Sequence, residues 1–178
     1  MILLNRALYT DQSSHCDLLS LELSDKTAYL GSTAYETALS TYYSAQEQSL
    51  LPACMAAPAT SAEVSLIIKI LARLHVPFAM HGGRHELNAG AAKFASGVTV
   101  NLRAMNEVTV NANKTVVSIG GGAKWGEVSS VLDAQNIATS GGRLSDVGVG
   151  GLSTGGGYPD FETTLKSANY TCRGNFTL

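Results

Sequence analysis

Phe78-Ala79-Met80-His81-Gly82-Gly83-Arg84-His85-Glu86-Leu87-Asn88-Ala89-Gly90 is the stretch that decides how this chain is read. The apolar run from Val76 to Met80 predicts a short buried strand. It ends at Gly82-Gly83, where the backbone can turn tightly and come close to another molecule. Successive N–H groups at such a turn form a nest for an anion such as a phosphate. His85 stands beside that nest, placed to hydrogen-bond or react with what the nest holds. A Gly-Gly turn with one histidine is often no more than a turn, so the surrounding sequence has to carry the argument.

Upstream, Thr60 and Glu63 have capping-box spacing before a stripe of Val64, Ile67, Ile68, Leu71 and Leu74, which predicts a helix from Ser61 to about His75. Pro77 ends it and leads into the strand. Leu51 to Pro58 reads as extended, since its two prolines oppose helix. Strand, helix and strand together predict a unit with parallel pairing. Further back, Tyr35, Leu39 and Tyr42 lie on one face of a predicted helix over 34–45. Thr27 to Leu30 reads as a short strand, and the rest of residues 1–30 is ambiguous.

Downstream, Gly97–Leu102 and Glu107–Asn111 alternate apolar and polar residues, and Thr115–Ile119 carries Val116, Val117 and Ile119. Asn111-Ala112-Asn113-Lys114 supplies a hairpin turn between the last two. The whole region therefore reads as antiparallel. Gly120-Gly121-Gly122 breaks the third strand. Trp125 to Leu132 predicts a helix with Trp125, Val128, Val131 and Leu132 on one side, and Ile137 to Thr139 reads as short and extended. A second glycine-rich run follows from Ser140 to Gly157, in which Val147, Val149 and Leu152 recur at apolar spacing. Ordering so much glycine is entropically costly, which argues for backbone packed against a ligand. From Tyr158 the periodicity fades.

With 178 residues, 45% hydrophobic and 15% charged, the chain can bury a real core. The net charge is -2, and no basic block points to nucleic acid or basic amphipathic helix to a membrane surface. Most of the 18 glycines fall between Gly82 and Gly157, interleaved with Val, Ile and Leu, which suits strands and close-approach turns more than a linker. Met1 to Leu4 is too short for the apolar core of a signal peptide. Asn113-Lys114-Thr115, Asn169-Tyr170-Thr171 and Asn175-Phe176-Thr177 fit the glycosylation sequon. Cys16, Cys54 and Cys172 allow one disulfide and one odd thiol, or three free thiols.

Four blocks in order carry a family resemblance. They are Phe78 to His85, Gly97 to Leu102, Gly120 to Val128, and Gly141-Gly142-Arg143 through Asp146 to Gly157. The set, over about residues 16 to 157, resembles the FAD-binding domain of berberine-bridge-enzyme-like oxidoreductases. These are flavoproteins of the vanillyl-alcohol oxidase / p-cresol methylhydroxylase type, and the likeness is greatest to fungal members. It implies an α+β fold, the p-cresol methylhydroxylase-type FAD-binding fold of two α/β subdomains, here incomplete at the C-terminus. The implied domains are an N-terminal extension and domain start over 1–50, a core over 51–157 and a divergent tail over 158–178, with the substrate domain absent. The implied function is an FAD-dependent oxidoreductase that moves hydride from a small-molecule substrate to flavin, with oxygen as acceptor. The alternative is a truncated, inactive fragment.

The same resemblance implies roles for individual residues. His85 matches the histidine that in many members bonds covalently to the flavin 8α carbon. Gly82, Gly83 and Arg84 match the diphosphate loop. Val147, Gly148, Gly150 and Gly151 match the second glycine-rich segment, with Gly141, Gly142 and Asp146 beside it. Trp125 is expected to pack. Leu144 stands where some members have a second flavin-linking cysteine, so any covalent link is expected to be single. The family usually has arginine at His81 and glycine at Arg84. Cys16 and Cys54 match a cysteine pair often disulfide-bonded in the family, which implies secretion although no signal sequence is seen. No catalytic base and no metal ligand can be assigned.

Overall fold

A computed structural model describes residues 4–24 and 26–156, with side chains from residue 14 onward. Its first half is a four-stranded sheet with helices on both faces. The strands are β1 (Thr27–Tyr29), β2 (Cys54–Ala56), β3 (Phe78–His81) and β4 (Val98–Asn101), in the order β1-β2-β4-β3. β2 and β3 are parallel, as strand–helix–strand requires, but they do not touch. Both pair with β4, which lies between them, with Cys54 and Phe78 each opposite Val98. The sequence reading that put Gly97–Leu102 in an antiparallel group is therefore corrected. Its alternation suggested one wet face, yet Val98, Thr99 and Val100 are all fully buried. Threonine's β-branched side chain suits a strand enclosed on both faces.

Helix α1 (Leu4–Leu23) and helix α4 (Ser61–Arg73) cover one face of this sheet. Cys16, Leu19 and Leu23 meet Ile67 and Leu71 over Cys54, Ala56, Val98 and Val100. α1 is the element the sequence left ambiguous. α4 starts where its cap predicts: the Thr60 hydroxyl accepts from Glu63 N–H at 3.2 Å. The Glu63 carboxylate reaches back to Ala59 N–H rather than to Thr60, at 2.7 Å, and also pairs with Lys26. Its buried face is narrower than the predicted stripe, because Leu74 falls past the helix end and is 47% exposed. On the opposite face of the sheet, helix α2 (Thr33–Ser40) packs Tyr35 and Ala38 on Met55, and the Tyr35 hydroxyl donates to the Pro52 carbonyl at 2.7 Å. The predicted single helix over 34–45 is split. α2 stops at Ser40, and a short helix α3 (Ala45–Gln48) starts on a Ser44 cap. Tyr42 and Tyr43 lie in the turn between them.

Cys16 of α1 and Cys54 of β2 form a disulfide with Cα atoms 6.0 Å apart. It ties the N-terminal helix to the sheet across 38 residues, a loop for which chain entropy alone gives about 2–4 kcal/mol. Cys172 lies outside the described residues.

The second half has its own core. Strands β5 (Val108–Val110) and β6 (Val117–Ile119) pair antiparallel, and the Asn111–Lys114 turn closes them through Lys114 N–H to Asn111 O at 2.9 Å. Helix α5 (Trp125–Asp133) and the short helix α6 (Val149–Thr154) pack on the hairpin. Ala123, Trp125, Val128, Leu132 and Val149 are buried, with Val108, Val110, Val117 and Ile119 beneath. Ile137 to Thr139 forms no strand. The chain is thus two adjoining α+β units, each with its own apolar core, and the glycine-rich loops lie where they meet.

Candidate functional site

Three loops converge between the two cores. The first leaves β3 at Gly82-Gly83. The second leaves β6 at Gly120-Gly121-Gly122. The third runs from Val147 to Gly150 into α6. They touch backbone to backbone. A Cβ on Gly83 would sit 2.2 Å from Gly148 N, and one on Gly148 would sit 2.3 Å from Gly83 N. Cβ atoms on Gly82 and Gly150 would stand 2.5 and 2.7 Å from the Gly121 carbonyl oxygen. No real Cβ survives at those distances, so these glycines let the loops pack on one another. Hydrogen bonds stitch the contact: Trp125 N–H to Val147 O at 3.0 Å, Val149 N–H to Ala123 O at 2.9 Å and Gly126 N–H to Ser145 O at 3.0 Å.

The remaining glycine-run residues divide between packing and open space. Gly141 and Gly142 lie against the Trp125 indole, where a Cβ would come within 2.2 and 2.5 Å of ring atoms. Trp125 belongs to the second core. Gly151, in the first turn of α6, has nothing within 4 Å of its Cβ position. The Asp146 side chain is largely exposed, and its carboxylate accepts from Lys124 Nζ at 2.8 Å. That hydrogen bond holds its pKa below the usual carboxylate value.

Arg103 and Glu127 brace the second loop. The Arg103 guanidinium donates to the Gly122 carbonyl and, at 2.7 Å, to Glu127 Oε1. Glu127 Oε2 accepts from Lys124 N–H at 2.7 Å, which caps α5. The hydrogen bond from Arg103 brings the Glu127 pKa from 4.5 down to about 2. A depressed folded-state pKa gives stability above the unfolded value that is lost as pH falls through the folded one. Glu127→Gln should therefore flatten the acid side of the stability curve between about pH 4.5 and 2 and leave it unchanged in shape above pH 5. Urea midpoints across that range read this directly. The effect should be modest, since Glu127 is 37% exposed and solvent screens the pair.

The first loop carries the distinctive chemistry. Arg84 has φ +64°, the left-handed region that favours glycine, which accounts for glycine being usual at this position in the family the sequence resembles. Its guanidinium donates to the Ala38 carbonyl at 3.3 Å and lies over the Tyr42 ring, 5.7 Å from its centroid. The side chain is thus held against the α2–α3 turn. His81 is 5% exposed, edge-on to Tyr42, and its ring nitrogens meet no hydrogen-bond partner. Burial first and Arg84 second push its pKa down to about 3, so it is neutral. Lys93 and Glu47 are also fully buried nearby. The Lys93 ammonium stands 4.4 Å from the Tyr42 centroid, and Glu47 Oε1 accepts from the N–H groups of Ala91 and Ala92 at 3.1 Å each.

His85 is half-buried and stacks on the Tyr43 ring, with centroids 4.1 Å apart and planes 16° from parallel. Glu86 turns the chain directly after it, accepting from the N–H groups of Leu87 and Asn88. The N–H groups of Gly83, Arg84 and His85 donate to no acceptor among the described residues. Sequence reading singled out His85 and the glycines through the family resemblance. It missed Tyr43 and Arg103, whose partners are distant in the chain and follow no motif, and the local capping box by which Glu127 accepts from Lys124 N–H.

Several solved structures share this fold. A glucooligosaccharide oxidase from Acremonium strictum, described with a 6-S-cysteinyl, 8α-N1-histidyl FAD, superposes with a TM-score of 0.71 at 25% identity, over 81% of this chain and 30% of its own. A berberine-bridge-enzyme-like protein of Physcomitrella patens superposes with a TM-score of 0.67 at 19% identity, over 77% of this chain and 30% of its own. The class that the fold defines is therefore an FAD-binding domain. The family model described as "FAD binding domain" matches residues 52–169, and the chain belongs to that family. This match runs past Gly157, so the family sequence continues beyond the point where the periodicity fades; those residues lie outside the described ones.

Among relatives of known description, the FAD-dependent monooxygenase FUP4 of Fusarium proliferatum is 42% identical over 118 residues, 66% of this chain and 23% of its own. The FAD-dependent monooxygenase sdcF of Emericella nidulans is 36% identical over 143 residues, 79% of this chain and 30% of its own. The chain therefore spans about a quarter to a third of the length of these relatives. The residues present fit FAD: three consecutive unpaired N–H groups suit phosphate oxygens, Gly151 leaves room for a close approach, and His85 stands beside them.

Proposed function

We propose that this chain is the cofactor-holding part of an FAD-dependent oxidoreductase that takes a hydride from a small-molecule substrate, with dioxygen as the electron acceptor. His85 holds the flavin covalently. The observation that carries this reading is the row of free N–H groups on Gly83, Arg84 and His85 at the meeting of the glycine loops. Bound FAD supplies a two-electron acceptor that no side chain can replace. The residues of this chain bind and orient it. Gly83, Arg84 and His85 offer donors to the diphosphate, Gly148 and Gly150 hold the third loop against the first, and Gly151 leaves space. Gly82, Gly141 and Gly142 serve by packing, and Asp146 with Lys124 forms a charged rim. Leu144 offers no thiol, so the attachment is single. Protein supplied with FAD should keep flavin fluorescence on the polypeptide after acid precipitation. Folded protein that takes up no FAD from solution would refute the reading.

We also propose that the protein enters the secretory pathway. The Cys16–Cys54 disulfide supports an oxidising compartment. Asn113 is exposed at the tip of the β5–β6 hairpin within a sequon. Expression in a secretory host should give a glycan at Asn113, read as a mass removed by peptide N-glycosidase and absent in Asn113→Gln. Native protein recovered with Cys16 and Cys54 reduced and Asn113 unmodified would count against it.

A further inference from the structure

We infer that Tyr43 is a positioning residue for flavin attachment at His85, an inference that rests on the covalent role proposed above for His85. The segment between α2 and α3 grips the first loop at three points. Tyr43 N–H donates to the Arg84 carbonyl at 3.1 Å, the Tyr42 ring lies under the Arg84 guanidinium, and the Tyr43 ring stacks on the imidazole of His85. The first two fix the backbone before His85. Only the third acts on the imidazole.

That restraint matters because His85 is on a loop. Beyond β3 no ladder orders its neighbours, and an imidazole on a loop is free to turn about χ1 and χ2. A ring stacked at 16° from parallel fixes the plane in which the imidazole nitrogens lie. Tyr43 is itself 64% exposed, so it is a poor candidate for core packing. An exposed aromatic ring held parallel to one specific histidine is better explained by orientation of that histidine.

Attachment forms a bond from an imidazole nitrogen to the flavin 8α carbon. The imidazole N–H and one methyl C–H are lost, and the two electrons and two protons pass to dioxygen, which becomes hydrogen peroxide. Misorientation of the attacking nitrogen slows such a step without preventing binding.

The test is timed reconstitution of the FAD-free chain with FAD, with acid-stable flavin followed against time. Reversible FAD affinity is measured separately by quenching of flavin fluorescence. Tyr43→Ala should slow attachment by roughly three- to tenfold, the range expected for loss of one aromatic stack, with affinity unchanged. Tyr43→Phe keeps the ring and should attach at the wild-type rate. In the FAD-free protein, the His85 ring protons should move downfield in Tyr43→Ala and stay in place in Tyr43→Phe.

Wild-type rates in Tyr43→Ala would overturn the inference and leave the His85 reading standing. Equal slowing in both variants would also overturn it, by assigning the effect to the hydroxyl. Wild-type protein that binds FAD but never gives acid-stable flavin would overturn the His85 reading, and this inference with it.

Discussion

His85→Ala should abolish acid-stable flavin while FAD still binds reversibly. The loss should be complete, because the other described histidines are badly placed to substitute. His15 and His81 are 7% and 5% exposed, and His75 precedes β3, at the opposite end of that strand from the glycine loop. A neutral imidazole nitrogen is the nucleophile such a bond needs, and of these residues only His85 is adjacent to the free N–H groups of the loop. Reversible binding should persist because those groups belong to the backbone and survive the substitution. Stability should change little, within about 0.5 kcal/mol, since His85 contacts an exposed ring and fills no core. Acid precipitation followed by fluorescence of the pellet is the measurement. Acid-stable flavin in His85→Ala would remove the assignment.

Gly148→Ala and Gly151→Ala should differ in sign although they lie three residues apart, at the start of α6. The Gly148 Cβ would stand 2.3 Å from Gly83 N and 2.7 Å from Gly83 Cα. Both are backbone atoms with no flexible end to swing aside, so the first and third loops must separate. A cost of about 3 kcal/mol is expected, at the upper end of typical overpacking. Gly151→Ala meets nothing within 4 Å and lies within α6. It should stabilise the FAD-free protein by about 0.5–1 kcal/mol, as a helical Gly-to-Ala change does. If FAD passes over Gly151, the same methyl group should weaken FAD binding. Urea midpoints without FAD, and FAD titrations beside them, separate the two effects. A Gly148→Ala variant as stable as wild type would show that the loops do not close as described.

Much of the fold is legible locally. The cap at Thr60, the stripe through Ile67 and Leu71 and the stop at Pro77 define α4 with little help from the rest of the chain. The β5–β6 hairpin follows from two alternating runs and an asparagine-rich turn. His85 is singled out by the resemblance of its Gly-Gly-x-His pattern to the family's, since the pattern by itself is a weak signal. These features depend on residues within one or two turns of each other, where periodicity and turn chemistry act.

Other features follow from contacts that no local pattern encodes. Alternation in Val98-Thr99-Val100 shows neither whether the strand is half-wet or covered on both faces nor that it pairs between β2 and β3, since all these environments accept those residues. Tyr43 reaches His85 across more than forty positions, so its role carries no motif. The glycine run is the clearest case. A ligand and a neighbouring backbone both exclude Cβ, and the sequence cannot tell them apart. By itself it determined the flavin-binding family, α4 and the hairpin, and it singled out His85 for test. Only the tertiary structure decided that β4 is central, that Tyr43 stacks on His85, and that Gly82, Gly83, Gly148 and Gly150 are there because three loops must touch. The physical reason is that composition states where a side chain is missing, whereas packing states what fills the space.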